Sequence, residues 1–479
     1  MRMAERRRIG KKIKYWGFFA LPFTNFAIFA SAAGNEHHSD ELAETSILIG
    51  QTRFWSSYHL SLPKKLFAAA FVLFPTFTVS IMRMPYINEK IKKILKVRKE
   101  TTQKHGFSEK EKTRSKEKTV GIMTFHRADN YGALLQAYAL KRTLRNLGVH
   151  PYVINYFCPA IESTYSFFSQ MENFGIKWIL RKAVKLICLP AIIRIRRKFS
   201  KFRNEYLHNT DDYSPQNINH ADFDIYISGS DQVFNPQITD YDKNYFLDFV
   251  KDKRKCFSYA ASFGLEYSEL GRKEIDFFHK MLDNFAKISV REKEGISITE
   301  KTLPGKECFQ SLDPVLLLNS REWEEITVLP KKKGYVLMYL MNYDDKIINY
   351  AKELARAKKL RLMLISHKLD LKKRPGIEKI TPTPQEFLGY FINADYVITN
   401  SFHGTAISTL FNKAFFTDMS ESRKTNPRLM NFLELIGLTG RLIDNIGTDY
   451  DAAPDWQTAN AALAREKAKS LDYLKEIVK

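Results

Sequence analysis

The segment 399–404 (TNSFHG) brings together residue types that can move protons and bind anions. An apolar run before it predicts a strand and the pattern after it predicts a helix, so the segment lies at a helix start. There His403 could exchange protons, while Gly404 and the first helical N–H groups could bind a phosphate or carboxylate. Asn400 and Ser401 are predicted to contact the same ligand. The alternative is a buried histidine with a purely structural role.

A second polar cluster follows the strand predicted at 224–228. Its small residues would let the backbone approach a ligand, and Ser230 is predicted to bind substrate. Asp231 could accept hydrogen bonds from sugar hydroxyls or act as a base. In the alternative interpretation, Asp231 and Asn235 only cap turns.

Two further groups of candidates also lie next to strand ends. Arg291 follows the strand predicted at 287–290, where a guanidinium could hold a carboxylate or phosphate through two parallel bonds. Asn130 and Gly132 permit a tight turn before the helix predicted at 133–147, whose N-terminus could bind an anion. The alternatives are a surface ion pair for the arginine and an ordinary capped turn for the other two.

The elements that must position these residues alternate between strands and helices. Apolar runs predict strands at 120–125, 150–155, 224–228, 255–262, 287–290, 335–340, 360–366 and 396–399, and helical spacing predicts helices at 133–147, 344–358, 384–393 and 405–411. This pattern is typical of α/β folds with parallel sheets. We therefore predict two Rossmann-like lobes, a first half at 119–330 and a second half at 331–479, with a cleft between them. Ligands of such sheets bind beyond the carboxyl ends of the strands, where every candidate lies.

The first 118 residues have a different character. Basic stretches flank two apolar segments at 16–33 and 66–82, each close to the lower length limit for a membrane span, and a charged linker follows. Three interpretations stay open: a membrane hairpin or peripheral attachment, a cleaved secretory signal, and a soluble extension.

Composition limits the partners. The net charge of +22 indicates anionic partners such as phosphorylated molecules or a membrane surface, and no recognisable nucleic-acid motif accompanies it. The four cysteines are far apart, without the spacing of a zinc site or a disulfide framework, so we predict no metal and a reducing compartment.

Taken in order, the motifs resemble the polysaccharide pyruvyl transferase family. The resemblance spans roughly residues 119–445, and the segments that carry it are GIMTFH at 121–126, NYGALLQAY at 130–138, GSDQVFNP at 229–236, SYAASFG at 258–264, SVRE at 289–292, DP at 313–314 and ADYVITNSFHGT at 394–405. It implies a GT-B-like fold with two lobes. It also implies the formation of a pyruvate ketal on a sugar of a cell-surface polysaccharide or its precursor. Phosphoenolpyruvate would be the donor substrate, with no further cofactor.

The resemblance also implies roles for single residues. His403 matches the family's histidine at the donor site, and Arg291 matches an arginine that binds the donor. His403 is then the expected acid or base, and Asp231 is expected to orient or deprotonate the acceptor. Two departures stand out: Ser401-Phe402-His403 replaces an Arg-Leu-His or similar triplet, and the first 118 residues have no recognised counterpart.

Two other functions remain as alternatives. One is a GT-B-type glycosyltransferase that uses a nucleotide sugar, and the other is a non-catalytic assembly factor attached to the membrane. Because phosphoenolpyruvate is a cytosolic metabolite, we expect a cytoplasmic enzyme that could associate with the inner face of the plasma membrane. Its acceptor could be lipid-linked.

Overall fold

The computed structural model describes residues 117–165, 188–366, 374–419 and 427–479. The two apolar segments predicted at 16–33 and 66–82 lie outside these ranges. Within them, every helix falls short of the length or the apolar character that a bilayer crossing requires.

The first half contains a sheet of five parallel strands in the order β3-β2-β1-β4-β5. Its strands are β1 (Thr119–Met123), β2 (His150–Tyr156), β3 (His208–Tyr213), β4 (Ile225–Ser228) and β5 (Cys256–Ser258). A parallel pair, β6 (Ile288–Val290) and β7 (Cys308–Gln310), continues from β5 through isolated bridges. Strand β5 is shorter than the strand predicted at 255–262, because it ends at Ser258.

The second half repeats this arrangement. Its five parallel strands follow the order β10-β9-β8-β11-β12, which is the order of the first sheet. They are β8 (Tyr335–Tyr339), β9 (Arg361–Ile365), β10 (Ile377–Ile380), β11 (Tyr396–Thr399) and β12 (Phe415–Thr417). The prediction of two parallel α/β sheets is confirmed.

Helices surround both sheets. In chain order they are α1 (Tyr131–Asn146), α2 (Pro159–Tyr165), α3 (Leu189–Phe202), α4 (Pro236–Thr239), α5 (Arg272–Leu282), α6 (Lys293–Thr302), α7 (Ser320–Glu324), α8 (Asp345–Ala357), α9 (Pro384–Asn393), α10 (Phe402–Leu410), α11 (Pro427–Leu435), α12 (Ile443–Ile446) and α13 (Trp456–Val478). The strand β8 is buried along its whole length, as expected for a parallel strand covered on both faces.

An aromatic contact joins the two halves. The hydroxyl of Tyr131, the first residue of α1, donates to the carbonyl of Pro382 at 2.8 Å. Its ring stacks on Phe387 of α9, with centroids 4.3 Å apart. An aromatic pair of this kind stabilises by about 0.5–1.5 kcal/mol beyond the area it buries. The start of α1 is therefore anchored in the second half.

The last helix joins the halves a second time. At its start, Trp456 packs near Phe415 of the second sheet. Further along, Ser470 accepts a hydrogen bond from the amide of Leu312, and Tyr473 donates to the carbonyl of Ser258, both at 2.9 Å. These contacts connect α13 to both halves.

Candidate active site

The turn after β11 is built by capping and close packing. Ser401 is the N-cap of α10, and its Oγ accepts from the amide of Gly404 at 3.4 Å. The helix therefore begins at Phe402, three residues before the predicted start at Thr405. A methyl group at Gly404 would lie 2.3 Å from Oγ1 of Thr399, so glycine is needed for the helix to approach the strand. Ser401 and Gly404 thus shape the turn that presents His403.

Asn400 holds a neighbouring loop. Its Oδ1 accepts from the amide of Met341 at 2.7 Å, and its Nδ2 donates to the carbonyl of Asn342 at 2.9 Å. Both polar ends of the side chain therefore fix the loop that follows β8.

His403 lies where the two halves meet. Its side chain is 11% exposed, and its Nε2 is 3.5 Å from Oδ2 of Asp313. Its Nδ1 faces Gly132, the second residue of α1, where a methyl group would lie only 2.2 Å away. The structure therefore brings together two residues, Gly132 and His403, that are far apart in the sequence.

Asn130 lies at the other side of this contact and caps α1. Its Oδ1 accepts from the amide of Ala133 at 3.2 Å, which satisfies one of the free N–H groups at the helix start. The N-termini of α1 and α10 thus approach each other at His403. Both positive dipole ends favour a negative charge at this position.

Arg291 lies directly after β6 and is buried. Its Nη2 is 2.7 Å from Oδ2 of Asp313 and donates to Oγ of Ser230, while its guanidinium lies 5.0 Å from the ring centre of Phe402. Among the described residues, no group pairs with its buried Nε and Nη1. Arg291 therefore has two donors that a ligand could use.

Asp313 connects these groups, although no role is predicted for it from the sequence. Burial alone would raise the pKa of its carboxyl, but the positive charge of Arg291 and the contact with His403 outweigh burial and lower the pKa to about 2. The carboxylate is therefore ionised at neutral pH. A signal for it existed in the DP pair at 313–314, but an aspartate before a proline is also an ordinary turn cap.

The two candidate residues after β4, Ser230 and Asp231, lie in different surroundings. Ser230 is fully buried beside Arg291 and also donates to the carbonyl of Ala260 at 3.0 Å. Asp231 has a φ of 75°, and its Oδ1 accepts from the amide of Gln232 at 2.9 Å. The structure thus places Ser230 in the charged cluster and Asp231 in a local turn.

A cavity of about 20 Å³ lies against this cluster, lined in part by Arg291, Asp313, Phe402 and Arg428. Such a volume holds about one water molecule. A larger cavity of about 700 Å³ lies near the amino ends of β9 and β10. We place the site at the smaller one because the larger is open and its basic side chains, such as Arg356 and Arg361, are exposed.

Within the described ranges, no group of three or more His, Cys, Asp or Glu side chains could hold a metal ion.

Comparisons with known proteins give one family and several distant structures. A model of the family described as polysaccharide pyruvyl transferase matches residues 130–417. No curated protein matches the chain.

Among solved structures, UDP-GlcNAc 2-epimerase from Neisseria meningitidis, bound to UDP-GlcNAc, is 9% identical, with 74% of this chain and 99% of that chain covered and a TM-score of 0.34. A putative UDP-N-acetylglucosamine 2-epimerase from Listeria monocytogenes is 13% identical, with 75% and 91% covered and a TM-score of 0.38. A glycosyltransferase from Rickettsia africae is 12% identical, with 76% and 100% covered and a TM-score of 0.36.

Proposed function

The chain belongs to the polysaccharide pyruvyl transferase family, and on this basis we propose that it transfers a pyruvyl group from phosphoenolpyruvate to a sugar. The product is a pyruvate ketal on a cell-surface polysaccharide or its precursor. The observation that carries the proposal is the buried cluster of Arg291, Asp313 and His403 where the two halves meet. This cluster combines a proton-exchanging group with cationic donors, and the reaction requires both.

The donor needs positive charge and N–H groups around it, since it carries a carboxylate and a phosphate. Arg291 supplies its two unpaired donors, and Arg428 lines the same cavity. The convergent N-termini of α1 and α10 add a favourable field for the anion. Arg291 and the helix ends therefore form the proposed donor site.

The donor enters only when the walls of this site move apart. The cavity of about 20 Å³ is far smaller than phosphoenolpyruvate, and Gly132 packs directly against His403. Since these two residues belong to different halves, a small separation of the halves opens the space between them. Closure around the donor then excludes water from the reaction.

The reaction proceeds in two bond-forming steps. His403 donates a proton to the methylene carbon of the enol, which makes C2 electrophilic, and a first sugar hydroxyl attacks C2 and gives up its proton. The bond between C2 and the phosphate oxygen then breaks, phosphate leaves, and a second hydroxyl attacks the resulting oxocarbenium carbon to close the ketal. One C–H and two C–O bonds form, while the C=C π bond and one C–O bond break. The methyl group takes the proton of His403, the first hydroxyl returns a proton to His403, and the proton of the second hydroxyl goes to phosphate. Asp231 orients or deprotonates the acceptor.

Binding and product analysis test the proposal. Purified full-length protein is titrated with phosphoenolpyruvate and, separately, with a uridine diphosphate sugar. Polysaccharide from cells with and without the protein is then examined by mass spectrometry for a pyruvate ketal. Saturable phosphoenolpyruvate binding and a ketal that depends on the protein are expected. Binding of the nucleotide sugar alone would indicate a glycosyltransferase, and binding of neither with no change in the polysaccharide would indicate an assembly factor.

The donor also determines where we place the enzyme. Phosphoenolpyruvate is cytosolic, so the two halves are proposed to lie in the cytoplasm, with any membrane contact made through residues 1–118. Protease protection in intact cells and sequencing of the mature N-terminus check this. A mature chain that begins near residue 33 and lies outside the membrane would contradict the placement.

A further inference from the structure

One oxygen of Asp313 contacts three side chains. Its Oδ2 lies 2.7 Å from Nη2 of Arg291, 3.4 Å from Oγ of Ser230 and 3.5 Å from Nε2 of His403. Its other oxygen, Oδ1, accepts from the amide of Val315 at 2.9 Å and caps the turn that follows. The carboxylate is therefore held by its own backbone while it faces two groups of the proposed reaction.

The two ring nitrogens of His403 have different surroundings. Nε2 faces the Asp313 carboxylate, and Nδ1 faces Gly132 at the start of α1. At 3.5 Å the Nε2 contact is longer than an ordinary hydrogen bond of about 2.7–3.2 Å, so a movement of a few tenths of an ångström completes it. An ionised carboxylate only accepts hydrogen bonds, so it favours the form of the neutral ring that carries its proton on Nε2.

We propose that Asp313 is a positioning residue that holds the proton of the neutral His403 ring on Nε2, so that Nδ1 exchanges protons with the substrate. This inference rests on the proposed function and assigns the nitrogen that acts in it. The protonated ring donates from Nδ1 to the methylene carbon, and the neutral ring that remains keeps its Nε2 proton against Asp313. Nδ1 faces Gly132 at the start of α1, and the donor reaches the ring from this side.

The same oxygen also fixes Arg291. With Nη2 held by Asp313 and Ser230, the guanidinium has its Nε and Nη1 left for the donor. Asp313 thus aligns the proton-exchanging group and the anion-binding group from one position.

The variant Asp313→Asn tests the positioning role while keeping the contact that supports the local fold. The amide keeps an Oδ1 that can accept from Val315, but the NH₂ group that replaces Oδ2 cannot accept from Nε2. Asp395→Asn is the matched control. Asp395 also accepts a hydrogen bond from a backbone amide, that of Tyr335 at 2.9 Å. It lies before the amino end of β11, whereas the site lies beyond the carboxyl end of that strand.

Two-bond ¹H–¹⁵N correlation spectra of full-length protein labelled at histidine report the tautomer of the neutral ring. The His403 signals are identified by their loss in His403→Gln. We expect the Nε2–H form in the wild type and in Asp395→Asn, and a shift toward the Nδ1–H form in Asp313→Asn. An Nδ1–H ring in the wild type, or an unchanged tautomer in Asp313→Asn, would overturn the proposal.

Enzyme kinetics provide a second test of the positioning role of Asp313. In catalytic triads the Asp→Asn change lowers kcat by about 10,000-fold through the wrong tautomer, and we expect a loss of about 100- to 10,000-fold here. Asp313→Glu, which restores a carboxylate, should recover part of kcat. Wild-type kcat in Asp313→Asn beside an inactive His403→Gln would refute the positioning role while leaving the proposed function intact. The tautomer measurement needs no substrate, so it tests Asp313 even if pyruvyl transfer is not observed.

Discussion

His126 and His403 both lie beyond the carboxyl end of a parallel strand but have different partners. His126 follows strand β1, His403 follows strand β11, and both residues are buried. The Nδ1 of His126 is 3.1 Å from the carbonyl oxygen of Thr124, and its Nε2 is 3.0 Å from Oδ1 of Asn155, so the single N–H of the neutral ring donates to one of these two acceptors. In His403, Nε2 has no hydrogen bond of ordinary geometry to any described residue, and the nearest carboxylate oxygen is 3.5 Å away.

Both histidines are buried, so burial does not distinguish the structural ring from the functional one. The atoms next to their ring nitrogens do. Burial lowers the pKa of His126 to about 4, so at physiological pH the ring is neutral and its one N–H is used by a fixed neighbour in the fold. A ring with an incomplete hydrogen bond next to a carboxylate retains capacity for a ligand. The following variants test this distinction, beginning with the largest expected effect on turnover.

His403→Gln should remove most of the activity. The amide cannot carry a proton to the enol, so we expect phosphate release from phosphoenolpyruvate in the presence of acceptor to fall about 100- to 10,000-fold. His126→Gln is the comparison variant, and it should retain turnover at neutral pH. Full turnover in a folded His403→Gln protein would remove the distinction between the two rings.

Gly132→Ala should affect the contact between the halves. In an isolated helix alanine is more favourable than glycine by about 1 kcal/mol, but here the added methyl group would lie 2.2 Å from Nδ1 of His403. We expect kcat/KM to fall about 100-fold, as for a misplacement of about 1 Å in an active site. Gly440→Ala is the control, because no atom of a described residue lies within 4 Å of the added group. Equal activity of both variants would mean that the closed contact has no role in turnover.

Arg291→Lys should weaken donor binding. Lysine keeps the charge but not the planar set of donors, and the loss of one charge-assisted bond of about 1.5–3 kcal/mol predicts a KM for phosphoenolpyruvate that is about 10- to 100-fold higher. Arg441→Lys is the buried control, since Arg441 donates to the carbonyls of Phe415 at 2.8 Å and Ala452 at 2.7 Å. That variant should lower stability and leave this KM unchanged. An unchanged KM in Arg291→Lys would exclude the arginine from the donor site.

Local signals in the sequence were sufficient for much of the fold. Helix α9 and strand β11 have the predicted bounds, because Thr383 caps the helix with Glu386 and an apolar run forms the strand. Strand β3 was missed because its sequence, HNTDDY, is polar, and its pairing with β2 decides its structure. Helix α10 begins earlier than predicted because Ser401, expected to contact a ligand, is its N-cap.

The site itself could be predicted only in part. Arg291 and His403 were identified from their positions at strand ends, but their shared partner Asp313 lies 90 residues from His403 in the chain. Nothing local in the sequence indicates that Gly132 contacts the imidazole either, since that contact depends on how the two halves pack. The single residues were therefore accessible from the pattern, while their pairing required the tertiary structure.

His126 should have the smallest effect on turnover and should instead change the response of stability to acid. Burial lowers its pKa from 6.5 to about 4, so between these values the unfolded chain binds a proton that the folded chain does not. The free energy of unfolding therefore decreases as the pH falls through this window, by about 3 kcal/mol at 1.36 kcal/mol for each pKa unit. Urea unfolding of the wild type and of His126→Gln at several pH values between 7 and 4 isolates this contribution as a difference in slope. His220→Gln, at an exposed position, controls for the loss of an imidazole as such. If the wild type and His126→Gln lost stability in parallel, the folded protein would bind the proton as readily as the unfolded chain, and His126 would not be the buried neutral ring that contrasts with His403.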